Sequence, residues 1–558
     1  MGSRVSWPWR AALAVVVLEL MYGPFLAEHI RNAADPWVFH EDVRQFVTPF
    51  LVRDHAGTYY RTFLPVGYRT LYAMGGRLMD AATLSKALPY ALLVLVLLGV
   101  SAAAGRIGGV AAGFGAAALT LSTGLVLDFI VGGTPRAFGF PLVAGIAVTL
   151  AFGRPGWLAA VSVIAAAFYP VVAVIGGLAL AGLLLREATA LRDGPWPHLA
   201  RRLALLAATA LGILLAAAPS LVPAGYGSRI GPRDVAAYPE AGPAGRYIPE
   251  DRFPEGSAVR VLAGRAGRVT QASLAATAGA WSPSLRAWAA PHARGIQYAL
   301  LGVLVIGLLQ AARTDAAARR LWLLPGAALA GLVAACLGAP YLYLPDRYIT
   351  YSLPILVVIG LPVAAGALPG LVAAPWCRAW MRPVATLAVV GATLLLVGGR
   401  GDGAQGFTDV NDAPRLFQFL AGLPPDVLIA GWPGDQIDSV PYLARRPAFL
   451  TRETHQAFHR GYADEMRQRL HALTAAVFAT DAAPLGRLRD QWGVTHLLVD
   501  LRYYGPHPPT YFEPFRAEVA AAVARGHTGG FEVLRRVPQL TVFRDGPLVV
   551  LALGRLVP

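Results

Sequence analysis

The chain has 558 residues, 56% of them hydrophobic and only 15% charged, with a mean hydropathy of +0.51. A soluble domain carries about a quarter charged residues, so this composition excludes an ordinary soluble enzyme and points to an integral membrane protein. The formal charge of +15 comes almost wholly from arginine, Lys86 being the one lysine; much of it sits in short loops, where the positive-inside bias and anionic headgroups account for it without a nucleic-acid partner.

Long apolar runs recur from Ala11 to Val397, each near the ~20 residues that cross the hydrocarbon. Arg4 and Arg10 followed by Ala11 to Leu26 imitate a signal peptide. No small-x-small site follows, and Glu19 interrupts the run, so the segment reads as a retained first span. Glu19 itself would be costly in mid-span and should be neutral or hydrogen-bonded within the bundle. Spans are predicted at 11–27, 86–104, 108–127, 137–153, 156–169, 171–186, 203–223, 296–312, 321–340, 348–369 and 384–399, about eleven in all. The run from Trp157 to Leu185 is too long for one ordinary span. Tyr169-Pro170 breaks it, because proline lacks a donor and disfavours helix at the residue before it. Counting two short helices there, with the N-terminus cytoplasmic, puts every Arg-dense short loop inside, from Arg106 and Arg154 to Arg378 and Arg382.

Three segments then lie outside: about 28–85, about 223–294, and everything from about 400 onward. The composition changes at the last of these. Asp426–Ala430, Val494–Asp500, Leu540–Phe543 and Leu548–Leu553 read as strands, and 455–479 and 512–525 as helices, which suggests a partly parallel α/β sheet. The expected architecture is a polytopic α-helical membrane module over 1–399 and an extracytoplasmic α/β domain over 400–558. Cys336 and Cys377 lie in or beside apolar runs and offer no metal spacing.

The chemistry-bearing residues fall in the loops. Phe39-His40-Glu41-Asp42-Val43-Arg44-Gln45-Phe46 follows the first span, with Asp35 just before it. A helix over 39–52 would put Asp42 and Phe46 on one face and lie on the membrane surface. A carboxylate held there can act as general base; a solvated charged face is the plain alternative. Glu41 and Asp42 point in different directions on a helix, so one of them would face a site. Next, Asp128 stands before Gly132-Gly133-Thr134-Pro135-Arg136-Ala137-Phe138-Gly139-Phe140-Pro141. Arg136 is either an interface arginine or a phosphate ligand at a helix start. Leu344-Pro345-Asp346-Arg347-Tyr348 offers a second such arginine in Arg347, while Asp346 reads first as a helix start. Gly431 to Asp438 follows the first strand of the C-terminal region, where a turn can recognise a carbohydrate or acceptor or simply pack. No Walker loop, HExxH, GxSxG or Cys/His metal set occurs, which argues against an ATP-driven pump.

Together these pieces resemble the GT-C superfamily of membrane glycosyltransferases, which includes protein mannosyltransferases, oligosaccharyltransferases, aminoarabinose transferases and arabinosyltransferases. The resemblance rests on Glu41-Asp42 after the first span, the GTPRAFGFP stretch, the helix pair at Tyr169-Pro170, and Pro345-Asp346-Arg347-Tyr348. More narrowly, His40-Glu41-Asp42-Val43-Arg44-Gln45 is similar to an Asp-Asp-Ala-Arg-Gln-His stretch in bacterial membrane proteins of this layout. Several relatives carry His-Pro where this chain has Tyr169-Pro170. The resemblance implies a polyprenyl-phosphate sugar donor, a glycan, lipid or protein acceptor, and a site in the bacterial cytoplasmic membrane facing outward. It implies Asp42 or Glu41 as general base and Arg136, Arg347 and Arg44 as phosphate ligands; in or beside the same segments, His40, Asp35, Asp128, Tyr169 and Asp346 are further candidate site residues. Some relatives hold a divalent cation such as Mg²⁺ on carboxylates beside phosphate, and whether this chain does is left open. The rival readings are a transporter or lipid flippase, for which no paired broken helices are found, and a non-catalytic envelope assembly protein.

Overall fold

A computed structural model describes residues 7–189, 196–221, 225–241, 245, 283–338, 345–372, 378–396, 406–410, 413–456 and 458–556. Helix α1 (Trp7–Ala34) leads into the first loop, which holds β1 (Val38–Phe39), α2 (Val43–Phe46), α3 (His55–Phe63) and α4 (Val66–Gly75). The chain then runs through α5 (Ala81–Gly108), α6 (Val110–Leu121), α7 (Gly124–Ile130), α8 (Gly139–Phe152), α9 (Pro155–Phe168), α10 (Pro170–Thr189) and α11 (Trp196–Leu221). After the second loop come α12 (Pro283–Thr314), α13 (Ala316–Leu321), α14 (Leu323–Leu337), α15 (Arg347–Ala367), α16 (Pro369–Val372) and α17 (Arg378–Leu396). That second loop, expected over 223–294, lies mostly outside the described residues.

Among the described residues, eight helical stretches are long and apolar enough to cross a membrane, and α6 with α7, bent by 66°, makes a ninth. The shorter apolar α9 and the 28-residue α1 fall at the other two predicted positions. The break between α9 and α10 falls at Tyr169-Pro170 as proline chemistry requires. Helix α15 is the axis of the bundle: 78% of its span is buried, against 6% for α11. It packs on α5, α6, α8, α12, α14 and α17. A helix apolar all round is stable only in such a place or in lipid. Glu19 departs from expectation. It is exposed rather than inside the bundle, and its carboxylate folds back over Gly23, where a Cβ would come within 2.5 Å of Oε1. Glycine one turn on leaves it that room.

The C-terminal region holds β2 (Thr408–Asp409), α18 (Pro414–Ala421), β3 (Ile429–Ala430), α19 (Val440–Leu443), α20 (Arg460–Val477), α21 (Ala483–Asp490), β4 (His496–Asp500), α22 (Arg516–Gly529), α23 (Glu532–Leu540), β5 (Thr541–Asp545) and β6 (Leu548–Ala552). Its sheet runs β3-β4-β6-β5. The β3/β4 pair is parallel, with Ile429 opposite His496, and the other two pairs are antiparallel. Strand β2 leaves this sheet and pairs antiparallel with β1, Val38 opposite Asp409. That pairing overturns the surface helix predicted over 39–52. Residues 38–39 are extended against β2, α2 is a single turn, and Thr48–Phe50 forms a 3-10 turn containing Pro49. Val43, Val47 and Phe39 are buried instead of lying on a membrane face. One buried cluster runs from Val96 and Val358 in the bundle to Tyr442, Leu473 and Val499 in the C-terminal region.

Candidate active site

Asp42 occupies the N-cap of α2, and Arg136 lies in the 3-10 turn Pro135–Phe138 that leads into α8. Their side chains meet: Arg136 Nε lies 2.7 Å from Asp42 Oδ2, the two groups being 14% and 20% exposed. Such a pair, largely out of water, is felt far more strongly than a surface ion pair. Glycine makes the approach feasible. Gly132 has φ +87°, and a Cβ there would fall 2.8 Å from His40 Cβ; Gly133 has φ +56°. L side chains rarely adopt that region.

His40 is buried between the two charges. Its Nδ1 accepts the Asp42 backbone N–H at 3.0 Å, and its Nε2 touches the Arg136 guanidinium. Burial first, then the Arg136 charge, pushes the imidazole down to about 4, against the opposing pull of Asp42. The ring is therefore neutral near pH 7.

Arg347 opens α15 from the far side of the same space. Its guanidinium lies 5.2 Å from the centre of the Phe129 ring, and that of Arg136 lies 4.7 Å from the same ring. A shared aromatic face partly offsets the repulsion of two cations. Arg347 Nη1 stands 3.5 Å from Tyr351 Oη, and the Tyr351 ring meets Tyr169 at 5.0 Å. Gly139 leaves room for this stack, since a Cβ there would lie 2.4 Å from the Tyr351 ring. Asp128 on α7 feels the charges of Arg136, Asp42 and Arg347 together. Asp346 does stand at a helix start, but its side chain makes no cap bond and its Oδ1 is buried without a hydrogen-bond partner.

The structure thus gathers Asp42, His40, Asp128, Arg136 and Arg347, with Tyr169 and Asp346 behind Arg347. It does not bring Arg44 or Asp35 into that group. The Arg44 guanidinium lies 5.5 Å over the Phe39 ring, near Asp438 of the C-terminal region. Asp35 closes a turn, its Oδ1 accepting the Trp37 N–H at 2.9 Å. Glu41 turns outward and is exposed. Partial desolvation and then the negative charges of Asp42 and Glu453 raise its pKa, opposed by Arg136 and Arg44.

Sequence reasoning passed over Lys86. It lies in the first turns of α5 and donates to the Asp35 carbonyl at 2.5 Å. With Arg445, which pairs with Asp80 at 2.9 Å, it lines a cavity of about 500 Å³ whose apolar wall includes Ile30, Ala33 and Tyr90. The available signal was that it is the single lysine of the chain. The Gly431–Asp438 turn is held for packing. Buried Asp438 accepts the Gly434 and Arg452 N–H groups at 3.1 and 2.9 Å, and its carboxyl is pushed up to about 6 by burial. The space beside it, between Trp432, Asp435, Asp500 and Arg502, is about 40 Å³. Among the described residues no three His, Cys, Asp or Glu side chains gather closely enough to hold a metal ion.

Fold and site together define a polytopic membrane protein whose helix ends carry a carboxylate–guanidinium cluster beside an α/β region. No family model and no curated protein matches the chain. Solved structures do. An oligosaccharyltransferase of Archaeoglobus fulgidus, in complex with Zn and sulfate, is similar over 89% of this chain and 68% of its own, with 12% identity and a TM-score of 0.49. ArnT from Cupriavidus metallidurans, bound to undecaprenyl phosphate, is similar over 100% of both chains, with 13% identity and a TM-score of 0.49. The A. fulgidus oligosaccharyltransferase AglB, in complex with an inhibitory peptide and a dolichol-phosphate, is similar over 97% of this chain and 73% of its own, with 11% identity and a TM-score of 0.44.

Proposed function

We propose that the protein is a glycosyltransferase that moves a sugar from a polyprenyl-phosphate donor to an acceptor hydroxyl on the outer side of the cytoplasmic membrane. The observation that carries this reading is the meeting of Asp42 with Arg136, with Arg347 on the same aromatic ring. The reaction needs a base for the acceptor and fixed positive charge for the leaving phosphate, and these residues offer both within one cluster. The acceptor oxygen attacks the anomeric carbon and gives its proton to the Asp42 carboxylate. The bond from that carbon to the phosphate oxygen breaks, and its electron pair leaves with the polyprenyl phosphate. Arg136 and Arg347 stabilise the charge that develops there. Donor phosphate also competes for Arg136, which frees Asp42 from its ion pair as the donor arrives. Glu41, one residue away, is the second candidate base. The cavity beside Lys86 and Arg445 is suited to the lipid's anionic end or to the acceptor.

The test uses purified protein in nanodiscs, supplied with polyprenyl-phosphate hexoses and pentoses, and reads release of polyprenyl phosphate. Asp42→Asn is expected to lower turnover about 10²–10⁴-fold. Arg136→Ala is expected to cost about 10²–10³-fold, as loss of a charge-stabilising donor does. Full turnover in Asp42→Asn, in Glu41→Gln and in the double variant overturns the base assignment. Scrambling of a labelled polyprenyl phosphate across the bilayer without sugar transfer would favour a flippase instead.

A further inference from the structure

Helix α4 adds no charged group to the cluster, yet it touches both backbones that carry it. Tyr68 and Tyr72 lie one turn apart on one face of α4, and both are buried, at 0% and 1% exposure. Tyr68 Oη donates to the Phe46 carbonyl at 3.2 Å, at the end of the turn that Asp42 begins. Tyr72 Oη donates to the Gly133 carbonyl at 2.9 Å, three residues before Arg136. The two rings pack at 4.7 Å, and Phe50 stacks on Tyr72 at 5.0 Å. Gly133 is at φ +56°, and a Cβ there would meet Tyr72 Oη at 3.1 Å. The glycine therefore serves the tyrosine as much as the turn.

We infer that Tyr68 and Tyr72 are a positioning pair: α4 acts as a caliper that fixes the separation of the Asp42 and Arg136 backbones. The inference rests on the reading of Asp42 and Arg136 as the reaction centre. Neither hydroxyl is hydrogen-bonded to the Asp42 or Arg136 side chain, although Tyr68 feels the Asp42 charge. Each instead ties down a carbonyl in a segment that has little other regular structure, α2 being four residues long and Pro135–Phe138 a 3-10 turn. Reaction geometry is sensitive to displacements of about 1 Å, which can cost about 100-fold in rate.

The test has an arm that needs no substrate. In a background with Cys336→Ala and Cys377→Ala, Asp42→Cys and Arg136→Cys place two thiols across the site, and dibromobimane fluoresces only when it bridges both. Tyr72→Phe and Tyr68→Phe are each expected to slow bridging at least about threefold. Tyr22→Phe, which removes a buried hydroxyl bonded to the Ala118 carbonyl elsewhere in the bundle, should leave it unchanged. In the native background, each α4 variant should lower kcat about 10- to 100-fold with donor KM little changed, while the elution profile stays monodisperse. Unchanged bridging in both α4 variants overturns the inference, as does equal slowing in Tyr22→Phe. If Asp42→Asn keeps full turnover while the tyrosine variants slow bridging, the caliper stands and the catalytic reading fails.

Discussion

His40 and His459 are both almost fully buried, at 4% and 1% exposure, and both are pushed down to about 4. Burial is the larger cause in each case; the charges of Arg136 and Arg229 add to it. His459 shares a hydrogen bond with Tyr59 Oη at 2.7 Å, so its neutral form joins the first loop to the C-terminal region. An unfolded histidine titrates near about 6.5. Between about pH 4 and 6.5 the unfolded chain therefore binds more protons than the folded one. Stability from these two groups is complete above that window and is lost as pH falls through it, by up to about 1.4 kcal/mol per pH unit for each group. Thermal unfolding in detergent should show a midpoint that falls from pH 7 to pH 5. Replacing both histidines with asparagine should flatten that slope, and an unaltered slope would show that other groups set it.

At the scale of elements, the turn between α7 and α8 decides whether Arg136 reaches Asp42. Gly132→Ala would put a Cβ 2.8 Å from His40 Cβ at φ +87°. Strain and overpacking of this kind cost about 1–3 kcal/mol. The expected result is a lower thermal midpoint together with loss of donor turnover; a variant unchanged in both would mean that the turn is not needed. Local signals of this sort were legible in the chain. Pro170 marked the α9–α10 break, and the apolar stretches at 496–500 and 548–552 marked β4 and β6 to within a few residues. Asp54 was legible too and went unread: its side chain caps α3 by accepting the Gly57 N–H at 2.6 Å. The helix over 39–52 failed for a non-local reason. Its first residues pair with Thr408–Asp409, far along the chain, and no periodicity within the loop records that partner. Arg44 went astray with it. On a one-turn α2 after an extended β1, positions 42 and 44 face different neighbours, Arg136 for the first and the Phe39 ring for the second.

Across the whole molecule the charges separate to the two ends of the helices. One end gathers Asp42, Asp128, Arg136 and Arg347 with the first loop and the α/β region. The short loops at the other end carry arginines close to the spans. There Arg106 pairs with Asp315 at 3.8 Å, Arg202 with Glu187 at 3.3 Å, and Arg320 donates to the Leu150 and Ala151 carbonyls at 2.8 and 2.9 Å. Arg320 also feels Arg186, so residues from α5, α10, α11 and α13 converge at that end. Arginines in short loops are held back on the cytoplasmic side during insertion, and the bias counts loops close to the spans. By that rule the Arg320 end is expected to be cytoplasmic, and the Asp42 end is expected to face outward together with the C-terminal region. Alkaline phosphatase fused after Pro558 should then be active in intact bacterial cells, and a fluorescent protein at the same place should stay dark. The opposite pair of results would turn the bundle over, putting Asp42 and Arg136 on the wrong side for a donor used at the outer leaflet.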